Sequence, residues 1–230
     1  MTKAAIITSW ICLLIVFAAS LWIWHGLPDL PHYPIHWGAD GQANGFGSKN
    51  SVFINLLIMP ITMVITFIIL VFTPKLEPKK TAFLASSRPF AVVWIALMIF
   101  FTIIHMVIIQ NYLFLDRGSN AFLFDPFMIM AVGSNILFIV IGNVMGKVRQ
   151  NYMFGIRTPW TLSSKQTWDK THRTIGPLMV ALGVIGLLSL FFLSPLYGMI
   201  FSVGLLPLVL VIAVFVVSYN FWKDATDKSE

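Results

Sequence analysis

Charge is scarce in this 230-residue chain: Asp, Glu, Lys and Arg make up 10% of it, against 58% for the apolar set AVILMFWYC. A water-soluble domain would have to leave much of that apolar surface wet, and a disordered chain needs the opposite composition. Both classes are excluded. Cysteine is almost missing too. Cys12 stands alone, so no intramolecular disulfide can form and cysteine usage says nothing about redox compartment. Motifs that carry chemistry are also lacking. There is no Gly-x-x-x-x-Gly-Lys-Ser/Thr phosphate loop, no His-Glu-x-x-His, no Gly-x-Ser-x-Gly and no pair of carboxylates inside an apolar run. The sequence therefore reads as a membrane protein with no enzyme signature and no cofactor.

What is present is a series of runs free of Asp, Glu, Lys and Arg: residues 4–28, 50–74, 89–115, 126–146 and 174–222. About 20 apolar residues suffice to cross a bilayer as a helix, so each of the first four holds one span. The fifth is long enough for two and is interrupted at Ser194-Pro195, where proline disfavours a continuous helix. The expected fold class is an all-α integral membrane protein with six transmembrane helices. Pro60 and Pro207 are expected to kink the second and sixth.

Orientation follows from the cations. Lys3, the segment with Lys75, Lys79, Lys80 and Arg88, the segment from Lys147 to Arg173, and the tail with Lys223 and Lys228 hold thirteen of the fifteen Lys and Arg. Only Lys49 and Arg117 fall on the other side. The positive-inside rule then places both termini in the cytoplasm. It also accounts for a pI near 9.6 without direct nucleic-acid binding. Lys3 and Ala18-Ala19-Ser20 loosely resemble a signal peptide, but the apolar run continues through Trp22 and Trp24. A retained helix is expected.

Two loops hold residues that topology does not require. The outer one, within residues 26–50, contains Pro28, Pro31, Pro34, His36, Trp37 and Gly41. His25, Asp29, His32 and His36 are spaced 4, 3 and 4, which on a helix would suggest zinc. The three prolines argue against that helix; an extended segment followed by a glycine-rich turn is expected. An ordered outer cap and a binding loop for something arriving from outside are the other readings.

The inner loop, residues 147–174, carries Asn151 and then Gly155-Ile156-Arg157-Thr158-Pro159-Trp160-Thr161. Gly142 and Gly146 form a small-xxx-small pair suited to close helix packing, and Gly155 suits a turn. Ser163 with Gln166 fits a capping box. Trp168, His172 and Ile175 then lie on one face of a short helix. Such a loop could simply rest on anionic lipid. Alternatively, Arg157 and Trp160 could anchor a cytoplasmic protein. Within the spans, His105, Asn135 and Asn143 are the polar candidates, either as interhelical bonds or as a transport pathway.

The segment from Gly155 to Leu162, with Trp168 and His172-Arg173, resembles the signature of the SdpI family of bacterial immunity proteins. Gly142-Asn143 and Asn151 fit the same pattern. The outer loop, from Leu27-Pro28 through Pro34-Ile35-His36-Trp37 to Gly47-Ser48-Lys49, resembles the domain of unknown function, DUF1648, that often precedes it. The resemblance implies residues 1–75 as an N-terminal two-helix region with the outer loop, and 76–230 as a four-helix SdpI-like region with the basic inner loop. It implies protection of a Gram-positive cell from a secreted membrane-active killing peptide. Sequestration of a cytoplasmic winged-helix repressor would be a further role. Asn151, Gly155, Arg157, Thr158, Pro159, Trp160, Thr161, Trp168 and His172 become the protection and signalling motif, with membrane lipids and the toxic peptide as partners. A small transporter using His105, or a metal-dependent membrane enzyme on the histidines of the outer loop, would be the alternatives.

Overall fold

The computed structural model describes residues 3–38, 43–113, 115 and 125–228. Along the chain run α1 (Lys3–Gly26), β1 (Tyr33–Trp37), β2 (Ala43–Gly47), α2 (Lys49–Leu76), a short α3 (Lys80–Ala85) and α4 (Ser87–Leu113). They are followed by α5 (Pro126–Met145), a short α6 (Pro159–Ser163), α7 (Lys165–Ser189), α8 (Pro195–Met199) and α9 (Leu206–Lys223). A π-helical turn, Ile200–Leu205, joins α8 to α9. Six helices are long and apolar enough to cross a membrane, the sixth being the continuous stretch Pro195–Lys223. The chain is a multi-pass membrane protein. Large residues such as Leu14, Trp22, Ile58, Ile65, Leu188 and Ile212 are exposed on the spans, as a lipid-facing surface requires.

Local chemistry sets the helix ends. Ser48 caps α2 by accepting from the Ser51 N–H, and Asp125 caps α5, with Pro126 in the first turn where no N–H is needed. The break between the fifth and sixth spans falls at Ser194-Pro195 as expected, with Pro195 opening α8. Pro207 lies at the start of α9 directly after the π turn.

Pro60 has a clear consequence. It has no N–H to give the Leu56 carbonyl, and the Ser20 hydroxyl of α1 donates to that carbonyl instead, at 3.2 Å. Ser20 Oγ in turn lies 2.8 Å from His105 Nε2 of α4. A proline gap in one helix thus ties three helices together in the apolar interior. Around it, α1, α2 and α4 share a core of Cys12, Leu13, Val16, Met63, Trp94 and Met98, and Trp94 Nε1 donates to Ser9 Oγ at 2.7 Å.

The packing of α5 on α7 works differently. A Cβ on Gly142 would stand 2.6 Å from the Gly176 carbonyl, and one on Gly183 would stand 2.7 Å from the Asn135 carbonyl. Only glycine allows backbones that close. Gly146, the other half of the expected pair, meets only ordinary contacts; the close approach continues along Gly176 and Gly183 instead.

Two sequence expectations are corrected here. The helix carrying Trp168, His172 and Ile175 is not short: α7 runs unbroken from Lys165 into the fifth span. Its cap is Ser164, which accepts from Thr167 N–H at 3.0 Å, and not Ser163 with Gln166. Ser164 has the extended backbone a cap needs, and the cap position moves with it.

Candidate functional site

At the end of the bundle where the basic segments meet, the loop from Gly146 to Ser164 folds into a hydrogen-bonded clamp. Asn151 is its hub. Its Oδ1 accepts from the N–H groups of Met153 and Phe154 at 2.9 and 2.7 Å, and its Nδ2 donates to the carbonyls of Arg149 and Phe154 at 2.8 and 2.9 Å. An amide with all four bonds made holds a tight turn with almost no exposure. Gly155 follows at φ +117°, the only described residue at positive φ. A Cβ there would lie 2.7 Å from His172 Nε2 and 3.0 Å from the Trp168 ring. Both the backbone and the space demand glycine.

Trp168 and His172, one turn apart on α7, stack with ring centroids 4.1 Å apart. Trp168 Nε1 donates to the Val148 carbonyl at 2.8 Å. The Ile156 N–H donates to His172 Nε2 at 2.9 Å. Nε2 is thus an acceptor, and the ring proton sits on Nδ1, which lies 2.9 Å from the Trp168 carbonyl. Thr158 and Thr161 form a reciprocal capping box around α6, opened by Pro159. Gln150 Nε2 donates to the Thr161 and Leu162 carbonyls at the far end of that helix.

The motif divides by exposure. Asn151, Thr158, Thr161, Trp168 and His172 are buried, while Arg157 and Pro159 are exposed. Trp160 is half-buried, against Phe215 at 5.9 Å and Tyr219 at 5.2 Å. Arg157 Nη1 donates to the Tyr152 carbonyl at 2.6 Å. Lys147, Arg149, Lys165, Lys170 and Arg173 are exposed around it, and Lys165 pairs with Asp169 at 2.7 Å. The arrangement leaves a cationic rim beside the half-buried Trp160.

Residues 147–220 match the SdpI/YfhL protein family. The C-terminal region of the chain is thus similar to the SdpI family. Residues 11–64 match the domain of unknown function DUF1648, so both resemblances read from the loops hold. Over 221 residues the chain is 27% identical to "Immunity protein SdpI" of Bacillus subtilis (strain 168), covering 94% of this chain and 95% of that protein. No solved structure matches.

The outer loop of the DUF1648 region is a hairpin. β1 pairs antiparallel with β2, Tyr33 opposite Gly47 and Trp37 opposite Ala43, so the expected extended segment is paired. Tyr33 is buried among Ile23, Leu27, Val52, Leu56, Ile109 and Tyr112, and its hydroxyl donates to the Pro28 carbonyl at 2.6 Å. Pro34 lies within β1, and Trp37 packs edge-on against Tyr112 at 5.8 Å. His32 and His36 are exposed, with His36 Nδ1 2.6 Å from Asn44 Oδ1. Gly41 lies outside the described residues. Among the described residues no three of His, Cys, Asp or Glu come together as a metal group. His25, Asp29, His32 and His36 therefore form no such group: His25 lies at the end of α1, Asp29 and His32 precede β1, and His36 lies within it.

The candidates within the spans also separate. His105 and Asn135 are fully buried, and Asn135 Nδ2 donates to Ser202 Oγ in the π turn at 2.8 Å. Asn143 is exposed. It faces away from the α5–α7 contact, so it is no interhelical bond in this structure.

Sequence reasoning missed Glu77. Its side chain is 1% exposed, and its two carboxylate oxygens accept from the N–H of Lys79 at 2.8 Å and the N–H of Tyr152 at 2.9 Å. The signal available was one acid among the four cations from Lys75 to Arg88. Asp227 was missed as well. It accepts from the Ser164 hydroxyl and from the Gln166 N–H at the start of α7, and these bonds, that of Ser164 first, hold its carboxyl below the usual carboxylate range.

Proposed function

We propose that this chain is a non-enzymatic membrane immunity protein that protects a Gram-positive cell from a secreted, membrane-active killing peptide. The observation that carries the reading is the likeness to the B. subtilis immunity protein along nearly the whole of both chains. The SdpI signature supports it by presenting Arg157 and Trp160 on a scaffold fixed by the rest of the motif. In this reading the basic end faces the cytoplasm, following the distribution of Lys and Arg, and the hairpin faces outside, where the peptide arrives. The finer part of the proposal is that the surface of Arg157, Pro159 and Trp160 docks a winged-helix repressor, with the guanidinium and indole as anchors.

Survival tests it. A toxin-sensitive Gram-positive host expressing the chain should outlive a challenge by the killing peptide that SdpI immunity proteins counter. Arg157→Ala, at matched membrane levels, should lower survival about tenfold or more, as expected for loss of an arginine anchor. Protection by Arg157→Ala equal to wild type would remove the inner motif from the function. Absence of protection by the wild type would defeat the immunity reading.

A further inference from the structure

We propose that Glu77 is a positioning residue for Arg157, holding the SdpI motif in register with the second membrane span; this rests on the immunity reading above for what Arg157 does. The peptide backbone of Tyr152 is gripped from both sides. Its N–H donates to Glu77 Oε2 at 2.9 Å, and its carbonyl accepts from Arg157 Nη1 at 2.6 Å. The guanidinium is exposed, and this carbonyl is the hydrogen-bond partner that ties it to the loop. Where Tyr152 sits therefore determines where Arg157 points.

Glu77 is fixed in its turn. It terminates α2 as the C-cap residue, and its other oxygen accepts from the Lys79 N–H. Lys79 extends the same link, with Nζ 3.3 Å from Gln150 Oε1 and 5.1 Å over the Tyr152 ring. A second contact lies beside it, where the Arg149 N–H donates to Ser86 Oγ at 2.8 Å. The carboxylate thus joins the segment between the second and third spans to the loop between the fourth and fifth.

α2 gives this link its reach. Its 28 residues span about 42 Å at 1.5 Å per residue, from Ser48 beside the hairpin to Glu77 beside the motif. At the hairpin end Asn55 Nδ2 donates to the Ile35 carbonyl of β1 at 2.8 Å. A displacement of the hairpin along or about α2 would move Glu77, and Tyr152 and Arg157 with it. A buried carboxylate is well suited to such a task, because hydrogen bonds to a charged acceptor are stronger than neutral ones.

Hydrogen–deuterium exchange on the full chain in lipid nanodiscs tests the grip without any toxin. Glu77→Ala should speed exchange across residues 150–157 about tenfold or more and leave Trp168 to Ile175 unchanged. Tryptic cleavage after Arg157 should rise by a similar factor. Glu77→Gln keeps one acceptor and should fall between; it carries the same test if Glu77→Ala fails to accumulate. Unchanged exchange over 150–157, or equal loosening of α7, would overturn the proposal. Survival gives the second readout. Glu77→Ala combined with Arg157→Ala should protect no worse than Arg157→Ala alone, and additive losses would show that Glu77 acts by another route. A wild type that fails to protect while exchange behaves as expected would defeat the immunity reading and leave the hold of Glu77 on the loop standing.

Discussion

The two loops that stand out in the sequence are built on opposite plans. In the inner loop the unusual residues turn inward: Asn151, Thr158, Thr161 and His172 are buried and bonded to one another or to backbone. In the outer hairpin they turn outward. His32 and His36 are exposed, and the buried anchor is Tyr33, an ordinary residue in composition terms. Polar density in a sequence marks a special segment, but the side that is special depends on whether the backbone is closed by side chains or by strand pairing. A loop without regular structure must satisfy its N–H and C=O groups with side chains, whereas a hairpin satisfies them with its partner strand and leaves its side chains free.

Paired glycine substitutions should show that contrast most strongly. Gly155→Ala places a Cβ against His172 and Trp168 at positive φ, and should cost about 3 kcal/mol from backbone strain and overpacking together. Gly45→Ala, at a negative φ, brings its Cβ to 2.9 Å from His36 Cβ, so the two short strands must part slightly to admit it. Its cost should be about 1 kcal/mol and confined to the hairpin. Thermal unfolding in detergent measures both; equal shifts would erase the distinction between the two loops. Next in size is Asn151→Ala, which strands two N–H groups and two carbonyls. About 2 kcal/mol should be lost, with exchange rising first in residues 149–156.

The fold was largely legible. Six spans, the break at Ser194-Pro195 and the turn at Gly155 follow from hydropathy, proline and glycine alone. The start of α7 was not, because Lys165, Asp169, Lys170 and Arg173 make its first turns polar, and a hydropathy window sees the helix only where it becomes apolar. The site was half legible. Residue types located the motif, but they did not say that Trp168 and His172 support it while Arg157 faces outward and Trp160 packs half-buried on α9. Glu77 and Asp227 were invisible for a related reason: each closes the loop from a distant part of the chain, through backbone N–H groups that any residue carries. Spacing within a motif cannot reveal a partner tens of residues away.

The hairpin's own anchor should be worth less than the inner hub. Tyr33→Phe keeps the buried ring and removes the bond to the Pro28 carbonyl and the one from the Leu30 N–H. About 1 kcal/mol of stability is expected to go, read as a small drop in unfolding temperature with the inner loop's exchange unchanged. A loss as large as that of Asn151→Ala would mean that the outer cap is as tightly closed as the inner clamp.

The smallest effect belongs to the rim of the inner loop, where the chain's tail meets α7. Asp227 is exposed, and its carboxyl is held below its ordinary range by the Ser164 hydroxyl and the Gln166 N–H. A lowered folded-state pKa stabilises docking above the free carboxylate value of about 3.9 and loses that contribution as pH falls through the lowered value. The tail should therefore stay docked at neutral pH and loosen only in acid. Because water screens an exposed group, the change should be local and leave the bundle intact. Carboxypeptidase trimming on detergent-solubilised protein would report it: wild type should become more susceptible below about pH 4, and Asp227→Asn should be susceptible at every pH. Trimming that is independent of both pH and the substitution would mean that Ser164 caps α7 unaided, and that the inner clamp closes without the tail.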